Sequence, residues 1–103
     1  MKETQASIYQ WAVTTFGKAR DEFQIWRRAK AEFDELMRAI ISRKPPEKIV
    51  EEIADVVIVL CQIAERLGLS LAEAIDRKMA INREREWRTN GDGTGQHVEG
   101  VRG

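Results

Sequence analysis

The apolar positions of the chain fall into helical stripes separated by stops. Ile8, Trp11, Ala12, Thr15 and Phe16 stand at i, i+3, i+4, i+7 and i+8, the spacing of one face of a helix of period 3.6. Gly17 reads as its C-terminal stop. Phe23, Trp26, Ala29, Phe33, Leu36, Met37 and Ile40 keep that spacing for about five turns, until Ser42 and the Pro45-Pro46 pair interrupt it. This predicts a long second helix with that stripe as its apolar face. Pro46 suits the first turn of a third helix and Glu47 its positive end. No further breaker occurs before Gly68.

The middle of that third segment, Val56-Val57-Ile58-Val59-Leu60, has the β-branched content of a buried strand. Length decides against a strand: Ile49, Ile53, Val56, Val57, Leu60, Ala64 and Leu67 hold helical spacing from Pro46 to Gly68, far beyond the usual strand of about 5 to 6 residues. The segment is predicted as a helix buried on several sides. Ser70-Leu71-Ala72-Glu73 has the form of a capping box, and Leu71, Ala74, Ile75, Lys78, Met79 and Asn82 continue a fourth helix, expected to end between Trp87 and Asn90. Gly91 to Gly103, with five glycines in 13 residues, reads as a loop or tail. The prediction is an all-α domain over residues 1–90, four helices forming a bundle through oligomerisation, with a Gly-rich tail over 91–103. A third helix that is aliphatic around most of its circumference needs covering on more sides than one small chain provides, which implies a dimer or a tetramer.

Composition narrows the function classes. The 103 residues carry 17 Lys plus Arg against 17 Asp plus Glu, so the electrostatic basis for general nucleic-acid binding or for docking on acidic membranes is missing. Arg83, Arg85 and Arg88 are interleaved with Glu84 and Glu86, which dilutes the one basic stretch. The longest apolar run, Val56 to Cys61, is too short to span a bilayer, and the N-terminus lacks an apolar leader, so the chain reads as cytoplasmic. Cys61 is the only cysteine and lies in the most apolar stretch; it reads as a buried thiol, with no partner for a disulfide and no company for a Cys-rich zinc site.

Four carboxylates resist a purely structural account. Glu32 and Glu35 on the second helix, and Glu52 and Asp55 on the third, are each three residues apart and so share a helix face. Asp55 immediately precedes the apolar run, where an ionised carboxylate needs compensation. Two antiparallel helices would bring the two pairs together, and grouped carboxylates repel unless cations are present. Hard oxygen donors favour Mg²⁺ or Mn²⁺ over zinc. Solvated helix faces remain the alternative for each pair taken singly.

The pattern Glu32-x-x-Glu35, a gap of 16 residues, then Glu52-x-x-Asp55 resembles the signature of the MazG-like, all-α nucleoside triphosphate pyrophosphohydrolases. Glu51 to Leu60 is similar to that family's metal-binding third helix, and Lys78 to Arg85 resembles its downstream Lys, Asn and basic motif. Asn82 to Trp87, Gly91 to Val98, Trp11 and Phe16-Gly17 are similar to the phage-type dATP/dGTP branch. The resemblance implies Mg²⁺-dependent hydrolysis of a (d)NTP, dATP or dGTP foremost, to the monophosphate and pyrophosphate, with Mn²⁺ as a substitute. It implies Glu32, Glu35, Glu52 and Asp55 as metal ligands and Glu32 or Glu35 as the catalytic base. It also implies Lys78, Asn82 and Arg85 as contacts to phosphate or sugar oxygens.

Trp26 could stack on a purine or pack in the core, and Trp11 and Phe16 carry the same pair of readings, with a base pocket between helices one and two as the functional one. The segment Asp92 to His97 is expected as a lid over a neighbouring site; it lacks the Gly-Lys-Ser/Thr ending of a phosphate-binding loop. The competing reading from another class is a non-catalytic helical oligomerisation module.

Overall fold

In the computed structural model, which describes residues 2–98, α1 spans Gln5–Phe16, α2 Glu22–Ile41, α3 Pro46–Arg66 and α4 Leu71–Glu84. Two three-residue strands follow, β1 Trp87–Thr89 and β2 Gly95–His97, paired antiparallel with Trp87 opposite His97. The chain divides into two compact units, Met1–Leu71 and Ala72–Gly103. No helix among the described residues is long and apolar enough to cross a membrane.

Local chemistry explains each helix end in the first unit. Thr4 caps α1, its hydroxyl accepting from the Ser7 N–H while Ser7 returns the bond to the Thr4 N–H. This is a capping box written with serine in place of the usual Glu. The Asp21 carboxylate caps α2 by accepting from the Gln24 N–H, and Pro46 opens α3 where its missing donor removes nothing. Gly17 closes α1 at φ 84°, ψ 170°, a conformation essentially confined to glycine. A Cβ there would meet nothing within 4 Å, so Gly17→Ala isolates backbone strain. The substitution is expected to lower stability by about 1–3 kcal/mol, read as a lower midpoint in thermal or urea unfolding.

In the first unit α3 packs against both α1 and α2. The core is thin: Ala12, Ile25, Ala29, Ala39, Val56 and Val59 are the buried apolar residues among those described. Ile25, Ala29 and Val59 form its centre, with Ala19, Leu60 and Ile63 packed around them. Ala29, 1% exposed, packs in this cluster with Val59 of α3 and has no side chain beyond Cβ to hold the helices apart. The structure corrects the expected inward stripe of α2 in part: Ala29 is buried and Leu36 half-buried as expected, the rest are not. Phe23, Trp26, Phe33, Met37 and Ile40 are exposed, and the buried line runs through Ile25, Ala29 and Ala39. The helix has two apolar faces, and the one with the smaller residues meets α3.

Two polar ties complete this unit. The Gln5 amide donates to Glu65 and to the Leu69 carbonyl, and accepts from the Leu71 N–H, joining the start of α1 to the end of α3. The Arg66 guanidinium donates to the Ala19 carbonyl at 2.9 Å and stands 3.9 Å from the Glu22 carboxylate, so the linker between α1 and α2 is held in place. Cys61 is half-buried, and burial pushes its thiol up from the ordinary value.

The second unit departs from the predicted end of the chain. Helix α4 stops at Glu84, before the expected Trp87 to Asn90, and residues 87–97 form a hairpin where a helix end and the start of a loop or tail are expected; residues 99–103 of that tail lie outside the described residues. Its turn is internally bonded: Asn90 donates to the Thr94 carbonyl, and the Asp92 carboxylate accepts from the Thr94 hydroxyl and N–H. Those two donors hold the Asp92 carboxyl below its ordinary range. Trp87 packs edge-on against His97 and donates through Nε1 to the Asn82 carbonyl. Residue 90, where a domain boundary is expected, lies in the turn of this hairpin.

Candidate metal centre and adjoining cavity

The register of α2 against α3 places Glu32, Glu52 and Asp55 together, with one carboxylate oxygen of each within 4.8 Å of the others. Their environments differ. Glu52 is buried at 8% exposure, Glu32 is half-buried, and Asp55 is exposed. The deep carboxylates are each countered from one turn earlier on the same helix. Arg28 Nε lies 3.1 Å from Glu32 Oε1, and Lys48 Nζ lies 3.2 Å from Glu52 Oε1. The hydrogen bond and charge of Glu52, reinforced by Glu51, hold the Lys48 ammonium above its ordinary value.

The donor set fits a hard divalent cation. All three ligand atoms are carboxylate oxygens, and the two nearby cations leave one negative charge of the three uncompensated. Bonds of about 2.1 Å set octahedral ligand oxygens about 3 to 4.2 Å apart, so small side-chain rotations would close the set on one ion. Glu35, expected in this group, stands outside it: its carboxylate accepts from Arg38 at 3.3 Å on the exposed side of α2.

Beside the carboxylates opens a cavity of about 330 Å³, within the usual range of small-molecule sites. Trp11, Phe16, Ala19, Ile25, Ile58 and Val59 form its apolar wall, and Gln24, Arg28, Glu32, Asp55 and Gln62 its polar one. Glu32 and Asp55 thus belong to both features. Trp11 and Phe16 meet edge to face with ring centroids 5.4 Å apart and remain largely exposed. Trp26, the other aromatic candidate, does not line this cavity; it stacks on Phe23 at the surface.

The remaining candidates lie in the second unit. Lys78 and Asn82 are on α4, and Arg85 follows its last residue directly, its backbone N–H still bonded to the Ile81 carbonyl at 3.2 Å in the helical pattern. Asn82 donates weakly to Met79 sulfur at 3.9 Å, and Arg85 Nε is buried without a hydrogen-bond partner among the described residues.

Residues 22–99 match the MazG-like family. The chain belongs to the MazG-like family. This MazG-like chain is 51% identical over 47 residues to a dATP/dGTP diphosphohydrolase of Salmonella phage PMBT28, a stretch covering 46% of the chain and 16% of that relative. It is 43% identical over 49 residues to a dATP/dGTP diphosphohydrolase of Cyanophage S-2L, covering 48% and 47%. The matched stretches therefore span about half or less of these curated relatives. Among solved structures it is similar to the Cyanophage S-2L MazG-like pyrophosphohydrolase bound to dGDP and three catalytic Mn²⁺ ions per active site. The TM-score is 0.73 at 33% identity, with coverage of 93% of this chain and 89% of that one.

Sequence reasoning passed over Arg28, Lys48, Gln24 and Gln62 in this MazG-like chain. The signal for the two cations was present as i, i+4 spacing to Glu32 and Glu52. The glutamines carry no such signal, because only the packing of α3 on α1 and α2 brings them to one cavity.

Proposed function

We propose that this chain hydrolyses a purine deoxynucleoside triphosphate, dATP or dGTP, to the monophosphate and pyrophosphate, using Mg²⁺ or Mn²⁺ held by Glu32, Glu52 and Asp55. The observation that carries the reading is the sharing of Glu32 and Asp55 between the carboxylate group and the wall of a base-sized, aromatic-lined cavity. The names of the phage relatives, and the dGDP and Mn²⁺ bound by the structural neighbour, support the same substrate class and metal chemistry.

When bound, the cation would offset phosphate charge and lower the pKa of a water molecule. The protein's part is to hold and orient. Glu52 is fixed by burial and by Lys48, and Glu32 by Arg28, so the ligand oxygens are ordered before substrate arrives. Water adds to phosphorus, the anhydride bond to pyrophosphate breaks, and Glu32 or Glu35 takes the water's proton. The apolar wall receives the base and keeps solvent from that side of the nucleotide. Lys78, Asn82 and Arg85 contact phosphate or sugar oxygens in this reading, on the strength of their chemistry. Trp26 has no part in it.

The same reading pairs two copies of the chain. Val50, Ile53 and Val57 on α3, and Phe33, Met37 and Ile40 on α2, are exposed large apolar side chains. A standard interface removes about 800 Å² per partner, and this exposed apolar face of the first unit is the surface that would enter it.

The deciding assay measures pyrophosphate and monophosphate from a panel of NTPs and dNTPs, with Mg²⁺, Mn²⁺ or EDTA. Metal-dependent pyrophosphate release led by dATP and dGTP is expected, and Mn²⁺ should raise the melting midpoint reversibly with EDTA. Release of inorganic phosphate alone would overturn the pyrophosphohydrolase reading, and no release from any nucleotide would overturn it in favour of a non-catalytic helical module.

A further inference from the structure

The cavity wall carries two neutral amides whose hydrogen-bonding freedom differs. Gln24 Oε1 accepts from the Arg20 N–H at 2.7 Å, which fixes the amide and leaves its NH₂ as the group it can offer the cavity. Among the described residues Gln62 is bound only through Nε2 to the Ile58 carbonyl of its own helix, at 3.4 Å, a contact weak enough for the amide to turn over. Both line the cavity, together with the Trp11–Phe16 pair and the aliphatic side chains of Ile25, Ile58 and Val59. Arg28, the other polar residue of the wall that is not a carboxylate, is engaged with Glu32.

Adenine and guanine share N7 as an acceptor on one edge and differ beside it, with an N6 amino donor on adenine and an O6 acceptor on guanine. Cytosine shows only its N4 amino donor on the corresponding edge. A donor of fixed orientation matches what the purines have in common. An amide able to turn over presents oxygen to the adenine amino group or NH₂ to guanine O6.

We propose that Gln24 and Gln62 read the base, Gln24 as a fixed donor to the acceptor common to purines and Gln62 as a reversible amide that admits both adenine and guanine. The proposal rests on the nucleotide reading of the site and explains how one pocket would accept two purines while disfavouring cytosine.

The test is calorimetric titration of the full chain with dGDP, dADP and dCDP in the presence of Mn²⁺, for wild type, Gln24→Glu and Gln62→Glu. Gln24→Glu keeps an oxygen for the Arg20 N–H and removes the donor. It should weaken dGDP and dADP at least tenfold and dCDP less than twofold. Gln62→Glu keeps only acceptors, so it should weaken dGDP at least tenfold more than dADP. Thermal unfolding confirms that each variant is folded, and Gln24→Met and Gln62→Met, which carry no added charge, serve where it is not. Gln24→Met should lose the purine advantage over dCDP, and Gln62→Met should weaken dGDP and dADP alike while keeping part of that advantage. Wild-type purine binding that survives these substitutions, or that falls equally for dCDP, overturns the assignment of the glutamines alone. Absence of binding by any of the three nucleotides to wild type overturns both this assignment and the nucleotide reading beneath it.

Discussion

Glu52→Gln is expected to lower metal-dependent pyrophosphate release by on the order of a thousandfold, the scale seen when a group stabilising transition-state charge is removed. Glutamine matches the shape of glutamate and retains one oxygen, so the contrast isolates the charge. Glu52 is the most buried of the three clustered carboxylates, and its loss leaves Glu32 and Asp55, a set that binds a divalent ion much less firmly. The fold should survive. Lys48, which loses its partner, has a half-exposed side chain and can turn to water, while the buried site sheds an ionised group that repels its neighbours. The check is paired: thermal unfolding without metal should give a midpoint close to wild type, and the upward shift produced by Mn²⁺ in wild type should disappear. A folded variant that releases pyrophosphate at the wild-type rate would remove Glu52 from the chemistry.

Val57→Glu is expected to convert an associated protein into a monomer. Val57 is 45% exposed and Ile53, one turn earlier, 44%, so the two form a ridge on the face of α3 turned away from the core. A charge in the centre of an apolar interface must be desolvated without a partner, and central interface substitutions commonly weaken association by about 2–4 kcal/mol. In isolation the substitution removes no core contact, because the core of α3 runs through Val56 and Val59. Sedimentation should therefore show a single mass near 11.8 kDa for the variant and a larger one for wild type. The melting midpoint of wild type should rise with protein concentration while that of the variant does not. A wild-type protein monomeric at micromolar concentration would contradict the pairing.

Much of the first unit is legible in the sequence because its stops are chemical. Gly17 is the C-cap of α1, Ser42 that of α2, and Pro46 opens α3. The carboxylate spacing is legible for a geometric reason: residues 32 and 55 are equally distant from residues 43 and 44, inside the turn joining α2 and α3, so folding the helices back on each other returns Glu32 to the level of Asp55. What periodicity does not reveal is which apolar face of α2 meets α3. The aromatic stripe has the greater hydrophobic content, but helices approach more closely through Ala29 and Ala39, so the smaller face wins inside one chain. Glu35 misses the group for a local reason, the i, i+3 attraction of Arg38, which spacing to distant partners cannot register.

The hairpin is not legible in residues 87–97 because glycine content measures freedom in the unfolded state and says little about what a turn can bond. Gly91 and Gly93 supply the positive φ angles that the hairpin turn requires, and Asp92, Thr94 and Asn90 supply its bonds. Trp87, read as the frayed tip of a helix, instead anchors the hairpin on Asn82 and His97.

The paired basic residues on α2 and α3 also bear on the order of events in the cell. Small metal-dependent domains often cannot fold until the ion arrives, since mutual repulsion keeps their ligands apart. Here Arg28 and Lys48 are tethered one turn from Glu32 and Glu52, so each counter-charge is present as soon as its own helix forms. On the proposed reading the metal-free chain is accordingly expected to fold before an ion is loaded, with a cooperative thermal transition in EDTA.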